Sequence, residues 1–148
     1  MEAIIFIGIQ ATGKSTFYKE KFFRTHVRIN LDMLKTRHRE KLLLEACLQM
    51  RQSFVVDNTN PARADRDRYI KPAKEAGFYV KGYYFKSDIS SSLRRNSSRH
   101  GDERIPEKGI KATYSRLELP SYDEGFDELY YVTTGSKNNF KVRRWRAE

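Results

Sequence analysis

The chain has 148 residues and carries 29 Lys and Arg against 19 Asp and Glu, a formal net charge of +10. That length suits one domain with a real core. The lone Cys47 excludes an internal disulfide, and no long uncharged apolar stretch offers a transmembrane span.

Five strands are expected in chain order: Ala3–Ile7, Val27–Asn30, Ser53–Val56, Tyr79–Phe85 and Glu128–Thr133. Helical segments alternate with them, which predicts an α/β fold with a mostly parallel sheet covered on both faces. The first helix runs from Lys14 to Arg24. Glu40 to Gln52 places Leu43, Leu44, Cys47 and Leu48 on one apolar face, so Cys47 reads as core packing. Asn60-Pro61 reads as a helix start, with Asn as the cap and Pro at the first helical position. Pro72 should kink or shorten that helix, and Gly77 should end it. Asp88 or Ser90 caps a helix reaching about Arg99. Ile105-Pro106 opens a last helical stretch to about Leu117. From about residue 134 the chain is a polar, basic tail. There Phe140 and Trp145 alternate with Lys141, Arg143, Arg144 and Arg146. Such a tail reads either as a partly frayed terminus whose aromatics pack on the domain or as a base-stacking track for single strands. The N-terminus carries no basic region or cleavage signal, so an intracellular, cytoplasmic setting is expected.

Between the first strand and first helix, Gly8-Ile9-Gln10-Ala11-Thr12-Gly13-Lys14-Ser15 fits the phosphate-loop pattern G-x-x-x-x-G-K-[ST]. Backbone N–H groups from Gly8 through Thr16 would cradle a polyphosphate such as that of ATP. Lys14 would add a point charge, and the Ser15 hydroxyl would hold Mg²⁺. In an open parallel sheet the chemistry gathers beyond the carboxyl ends of the strands, and two acids stand there. Asp32 is the candidate general base for an acceptor hydroxyl, with helix capping as its other reading. Asp57 would hold the metal through water or anchor the acceptor, with an Asx turn as its other reading. Two basic clusters follow. Lys35 and Arg37, with Asn58 beside Asp57, form the expected acceptor-binding set. Arg95 and Arg99, four residues apart, would share a helical face on a lid that closes over ATP. Each cluster has the plain alternative of a solvated charge run. The positive net charge itself points to a polyanionic partner or, more plainly, to a generally basic surface.

The order of these pieces resembles the kinase domain of polynucleotide 5′-hydroxyl kinases of the phage and animal repair types. The segments that carry the resemblance are Gly8–Phe17, Arg28-Ile29-Asn30-Leu31-Asp32, Asp57-Asn58-Thr59-Asn60-Pro61, Arg95-Asn96-Ser97-Ser98-Arg99 with Ile105-Pro106, and Glu124-Gly125-Phe126. It extends to about Val132. The resemblance implies that residues 1–148 form one P-loop kinase domain with a five-stranded sheet and an Arg-bearing lid. It implies Asp32 as the base, Lys14 and Arg99 as the catalytic cations, Ser15 on the metal and Asp57 on the acceptor. The acceptor would be a 5′-hydroxyl end of RNA or DNA. The sequence departs from the family at Leu31, where a basic residue usually stands, and at Lys35, where Arg is frequent; Lys lacks the planar fork for bidentate phosphate binding. The D-x-D-x-T/V pattern of a 3′-phosphatase is absent from the sequence, so a companion phosphatase or ligase would lie on another chain. Two rival functions stay open: a kinase of a small-molecule alcohol, and a non-catalytic ATP-responsive nucleic-acid-binding module.

Overall fold

The computed structural model describes residues 1–135 and 139–146. Its first strand, β1 (Glu2–Ile7), is the centre of the architecture. Residues Ala3 to Ile7 are fully buried, and their alternation feeds two cores. Ala3, Ile5 and Ile7 face one core, with Ile29, Leu44, Cys47, Phe54, Val56, Tyr69, Ile70 and Leu129. Ile4 and Phe6 face the other, with Phe17, Tyr18, Phe22, Val55, Phe85 and Val132. An uninterrupted apolar run is what a strand covered on both faces requires.

The other strands are β2 (Val27–Ile29), β3 (Phe54–Val56), β4 (Tyr79–Phe85), β5 (Glu128–Thr134) and β6 (Phe140–Arg144). They stand in the order β2-β3-β1-β4-β5-β6. All pairings are parallel except β5–β6. The chain leaves β1 toward β2 and later crosses to β4 on the other side. The loop after β1 therefore lies at the switch point, where open α/β sheets form their ligand crevices.

Helix α1 (Lys14–Lys21) covers the Phe6 face. Helices α3 (Arg37–Met50) and α4 (Arg63–Glu75) cover the other face through Leu44, Cys47, Tyr69, Ile70 and Ala73. Between β2 and α3 lies the single turn α2 (Leu31–Leu34), and α5 (Ile89–Ser97) and α6 (Glu107–Ser115) follow β4. Among the described residues, no helix is long and apolar enough to cross a membrane.

Several expectations need correction. The sheet has six strands, not five. The tail forms β6 because Phe140 packs edge-on against Phe17 at 5.1 Å and Trp145 against Tyr84 at 5.3 Å. Its aromatics are thereby engaged in packing, and Lys137 lies outside the described residues. Asn60 does not cap α4. It sits at φ 45 with its side chain donating to the Phe6 carbonyl at 2.8 Å, and the cap is Ala62, whose N–H donates to Asp65. Helix α4 runs through Pro72 to Glu75, and Gly77 at φ 81 follows it. Helix α3 begins three residues before Glu40 because the Thr36 hydroxyl caps it, accepting from the Arg39 N–H. Asp88 caps α5 as expected, by way of Ser90 and Ser91 N–H.

Gly82 marks the tightest point of the core between β4 and β5. A Cβ there would lie 2.7 Å from both Leu129 Cδ1 and Phe126 Cε1, side chains themselves buried. Gly82→Ala should lower unfolding free energy by about 1–3 kcal/mol, the range for overpacking a filled core. Urea denaturation with an unchanged m-value checks this.

Candidate active site

The loop after β1 wraps around its own lysine. Gly13, at φ 93, precedes α1, and a Cβ there would meet Phe140 Cε1 at 2.9 Å, so only glycine fits. The loop is fixed from both sides: the Gly8 N–H donates to the Thr59 carbonyl at 2.9 Å, and the Ile9 N–H to Ser87 Oγ at 3.1 Å. Lys14 Nζ donates to the Gly8 carbonyl (2.8 Å), the Ile9 carbonyl (2.6 Å) and Thr12 Oγ1 (3.3 Å). Burial is the main force on this ammonium and pushes its pKa down from 10.5 to about 8. Asp57 and Asp32 pull it back up, and Arg99 adds to the depression. Lys14 is thus a buried ammonium held by oxygens of its own loop at the end of the cleft, where a phosphate would be a further acceptor.

The loop forms one end of a cleft of about 460 Å³. Gln10 through Thr16 line it, and so do Asp32, Asp57, Asn58, Arg37 and Arg99. Gly8 lies beneath the lining, contributing its carbonyl to Lys14. At the start of α1, Ser15 Oγ donates to Asp57 Oδ2 at 3.0 Å. Asp57 is only 2% exposed. These two oxygen donors fit Mg²⁺, which keeps several waters and takes one or two protein oxygens plus substrate phosphate oxygens. Among the described residues no group of three or more His, Cys, Asp or Glu forms a self-sufficient metal cage.

Asp32 sits in the first turn of α2, exposed to the cleft. It is not the cap of that turn. Asn30 is, its Oδ1 accepting from the Met33 N–H at 2.9 Å while its Nδ2 donates to the Asp57 carbonyl at 2.6 Å. A second amide fixes the same turn. Asn58 Oδ1 accepts from the Leu31 N–H at 2.9 Å, and Asn58 Nδ2 donates to Glu40 Oε2 at 3.0 Å and Tyr69 Oη at 3.2 Å. Glu40 is 2% exposed and also accepts from Arg37 Nη1 at 2.8 Å. Asn58, an expected acceptor contact, lines the cleft, and its amide ties the turn that presents Asp32, at Leu31, to Glu40 of α3 and Tyr69 of α4.

Lys35 is not brought to the cleft lining. Helix α2 ends at Leu34, and Lys35, at φ 76, turns the chain out toward α3. Arg37 and Arg116 line the cleft in its place. Arg116 was not foreseen; it is paired with Asp65 at 3.2 Å, an exposed contact of small energetic weight.

Arg99 lies just past the end of α5, not on its face, because the helix stops at Ser97. It lines the cleft nonetheless. Arg95 Nη1 donates to the Ala11 carbonyl of the phosphate loop at 3.1 Å. The segment between α5 and α6 is clasped by buried Asn96, whose amide donates to the Ile105 carbonyl and accepts from the Ile105 N–H at 2.8 Å.

Sequence reasoning also missed two arginines. Arg28 Nε donates to Asp57 Oδ2 at 2.9 Å. Arg66, fully buried, forms a bidentate pair with Glu124 at 2.7 and 3.0 Å. Its Nη1 also donates to the carbonyls of Asn60, Pro61 and Glu118 at 3.0–3.1 Å. The Glu124-Gly125-Phe126 segment was the only signal for that pair.

A phosphate loop at the switch point of this sheet, with an acid and an arginine-bearing segment over one cleft, defines a P-loop kinase fold. Residues 35–120 match the AAA domain family AAA_33, and the chain belongs to that family. It is 30% identical over 136 residues to the bifunctional polynucleotide phosphatase/kinase of Schizosaccharomyces pombe, covering 88% of this chain and 33% of that protein. It is 27% identical over 144 residues to the L-seryl-tRNA(Sec) kinase of Methanococcus maripaludis, covering 84% of this chain and 55% of that one. The chain therefore spans a third of the first relative and just over half of the second. A gluconokinase structure from Sinorhizobium meliloti superposes with a TM-score of 0.64 at 19% identity, covering 89% of this chain and 82% of that chain.

The depressed pKa of Lys14 sets a pH dependence. Above about pH 8 the free protein loses this proton, whereas a bound phosphate restores it. Polyphosphate affinity should therefore weaken by up to about tenfold per pH unit above 8, and binding at pH 8.5 should take up a proton. Calorimetry in buffers of different ionisation enthalpy measures that uptake, and Lys14→Met should abolish it.

Proposed function

We propose that this domain transfers the γ-phosphate of ATP to the 5′-hydroxyl of RNA or DNA. The observation that carries the reading is the shared cleft: phosphate loop, Asp32 and Arg99 line one crevice together with Arg37 and Arg116. In this reading the hydroxyl oxygen attacks the γ-phosphorus as the bond to the β-phosphate oxygen breaks. The hydroxyl proton passes to Asp32, and ADP leaves. Lys14 and Arg99 neutralise charge on the transferred group, and Asn30 and Asn58 keep Asp32 aimed. Ser15 and Asp57 would hold Mg²⁺, which supplies further neutralisation of the phosphates when bound.

The polynucleotide acceptor is supported by the relatives. Besides the S. pombe protein, a mimivirus protein of the same description is 31% identical over 140 residues. The net charge of +10 favours a polyanion in the same direction. Their names pair the kinase with a phosphatase, so we place a phosphatase companion outside these residues. A small-molecule alcohol is the second reading, favoured by a cleft volume within the range of ordinary small-ligand sites.

The test is transfer from labelled ATP to 5′-hydroxyl oligonucleotides of RNA and DNA against a panel of small alcohols. Oligonucleotide transfer that weakens with rising salt supports the reading, and transfer confined to small alcohols overturns it. Asp32→Ala should lower turnover by about 10²-fold or more while ATP affinity stays nearly constant, as for loss of a general base. Asn58→Ala should lower kcat by a smaller factor with little change in KM for ATP. Equal turnover in wild type and the Asp32 variant would remove Asp32 from the mechanism.

A further inference from the structure

Arg28 closes a three-cornered arrangement behind the candidate metal ligands. Its Nε donates to Asp57 Oδ2 at 2.9 Å and its Nη2 to Ser15 Oγ at 3.0 Å, while Ser15 Oγ donates to the same Asp57 oxygen at 3.0 Å. Ser15 and Asp57 line the cleft, whereas Arg28 does not. The guanidinium comes from β2, next to the nucleotide end of the sheet. It lies 5.9 Å from the centre of the Tyr18 ring, and the Tyr18 hydroxyl is tied to the His26 carbonyl at 2.7 Å. Asp57 is buried with this cation as its ion-pair partner.

We propose that Arg28 is a positioning residue that fixes the Ser15–Asp57 pair and, through its charge, holds down the pair's own affinity for a divalent cation. The inference rests on reading the cleft as a nucleotide site. A serine hydroxyl has one proton and two lone pairs. Here the proton goes to Asp57 and one lone pair takes the Arg28 N–H, which leaves one lone pair for a metal or its water. Asp57 Oδ2 already accepts two charge-bearing or polar donors. A carboxylate neutralised by a guanidinium attracts a dication less than a free one. Mg²⁺ also sheds its waters reluctantly. The pair therefore receives a metal already carried by nucleotide phosphates and does not collect one beforehand.

The experiment is Mn²⁺ titration followed by electron paramagnetic resonance on the wild-type protein, Arg28→Gln and Arg28→Lys, each with and without ADP. Removing the cation in Arg28→Gln should tighten Mn²⁺ binding by about tenfold in both conditions, by the loss of close charge repulsion. Arg28→Lys keeps the charge and should stay within about twofold of wild type. It carries the test alone where the Gln variant does not fold. Unchanged or weaker Mn²⁺ binding in Arg28→Gln overturns the inference, as does tightening in Arg28→Lys. Calorimetric ADP binding to the wild type separates the two readings. Its absence would fail the nucleotide site itself, and its presence with unaltered Mn²⁺ binding fails only the role of Arg28.

Discussion

The five residues after β3, Asp57 to Pro61, join the phosphate loop to the turn that carries Asp32 by hydrogen bonds that a single strand end supplies. Asp57 holds Ser15 at the start of α1. Its carbonyl receives Asn30, and Asn58 receives the Leu31 N–H, so the turn with Asp32 is fastened twice. The Thr59 carbonyl accepts the Gly8 N–H, and the Asn60 amide donates to the Phe6 carbonyl near the end of β1. A phosphate loop and a general-base candidate arise from separate strands, so their spacing depends on a third segment that contacts both. Hydrogen bonds from buried groups suit this work because an unpaired alternative costs about 1–3 kcal/mol for each group lost.

That segment needs its own support, and Arg66 provides it. The fully buried guanidinium satisfies the Asn60 and Pro61 carbonyls and anchors on Glu124, which is 3% exposed. Breaking such a pair from one side leaves a buried unpaired charge, a cost of about 3–5 kcal/mol. The pair is a poor source of net stability and a strong source of geometry. Any arrangement of residues 57–61 that lifts the two carbonyls away from Arg66 costs its buried Nη1 two of three carbonyl acceptors. The stiffness of the cleft floor thus originates in α4 and the turn before β5, away from the cleft's reacting centre.

The elements that depend on near neighbours were legible in the sequence. The apolar run of β1, the loop pattern at Gly8–Ser15, the Asp88 cap and the buried face with Cys47 all follow from local spacing. The failures share one cause: a local preference lost to a distant partner. Asn60-Pro61 has the composition of a helix start, but Phe6, 54 residues away, claims the asparagine amide. The tail's aromatics pack on the domain, at Phe17 and Tyr84, as one of its two readings expected, but its pairing as β6 depends on the open edge of β5, which no local pattern displays. Arg28 and Arg66 are ordinary charged residues in sequence. Their roles exist only once Asp57 and Glu124 are placed beside them.

The segment between α5 and α6 brings Arg99 to the same cleft from a base that is itself fastened. Asn96 clasps Ile105 at both backbone groups, so residues 97 to 104 form a loop closed at its base. Arg99 lies within that closed loop, just past the end of α5. Arg95 sits on the helix side of the clasp and is bonded to the phosphate loop through Ala11. The two arginines therefore stand on opposite sides of that clasp. Arg95 ties α5 to the phosphate loop, while Arg99 reaches the cleft lining with its Nη1 donating to the Glu103 carbonyl at 3.3 Å. Two arginines four residues apart thus have separate tasks: Arg95 uses its donor on the geometry of the phosphate loop, and of the two Arg99 presents its charge to the cleft, where a cation already held in place needs little reorganisation to meet an anion.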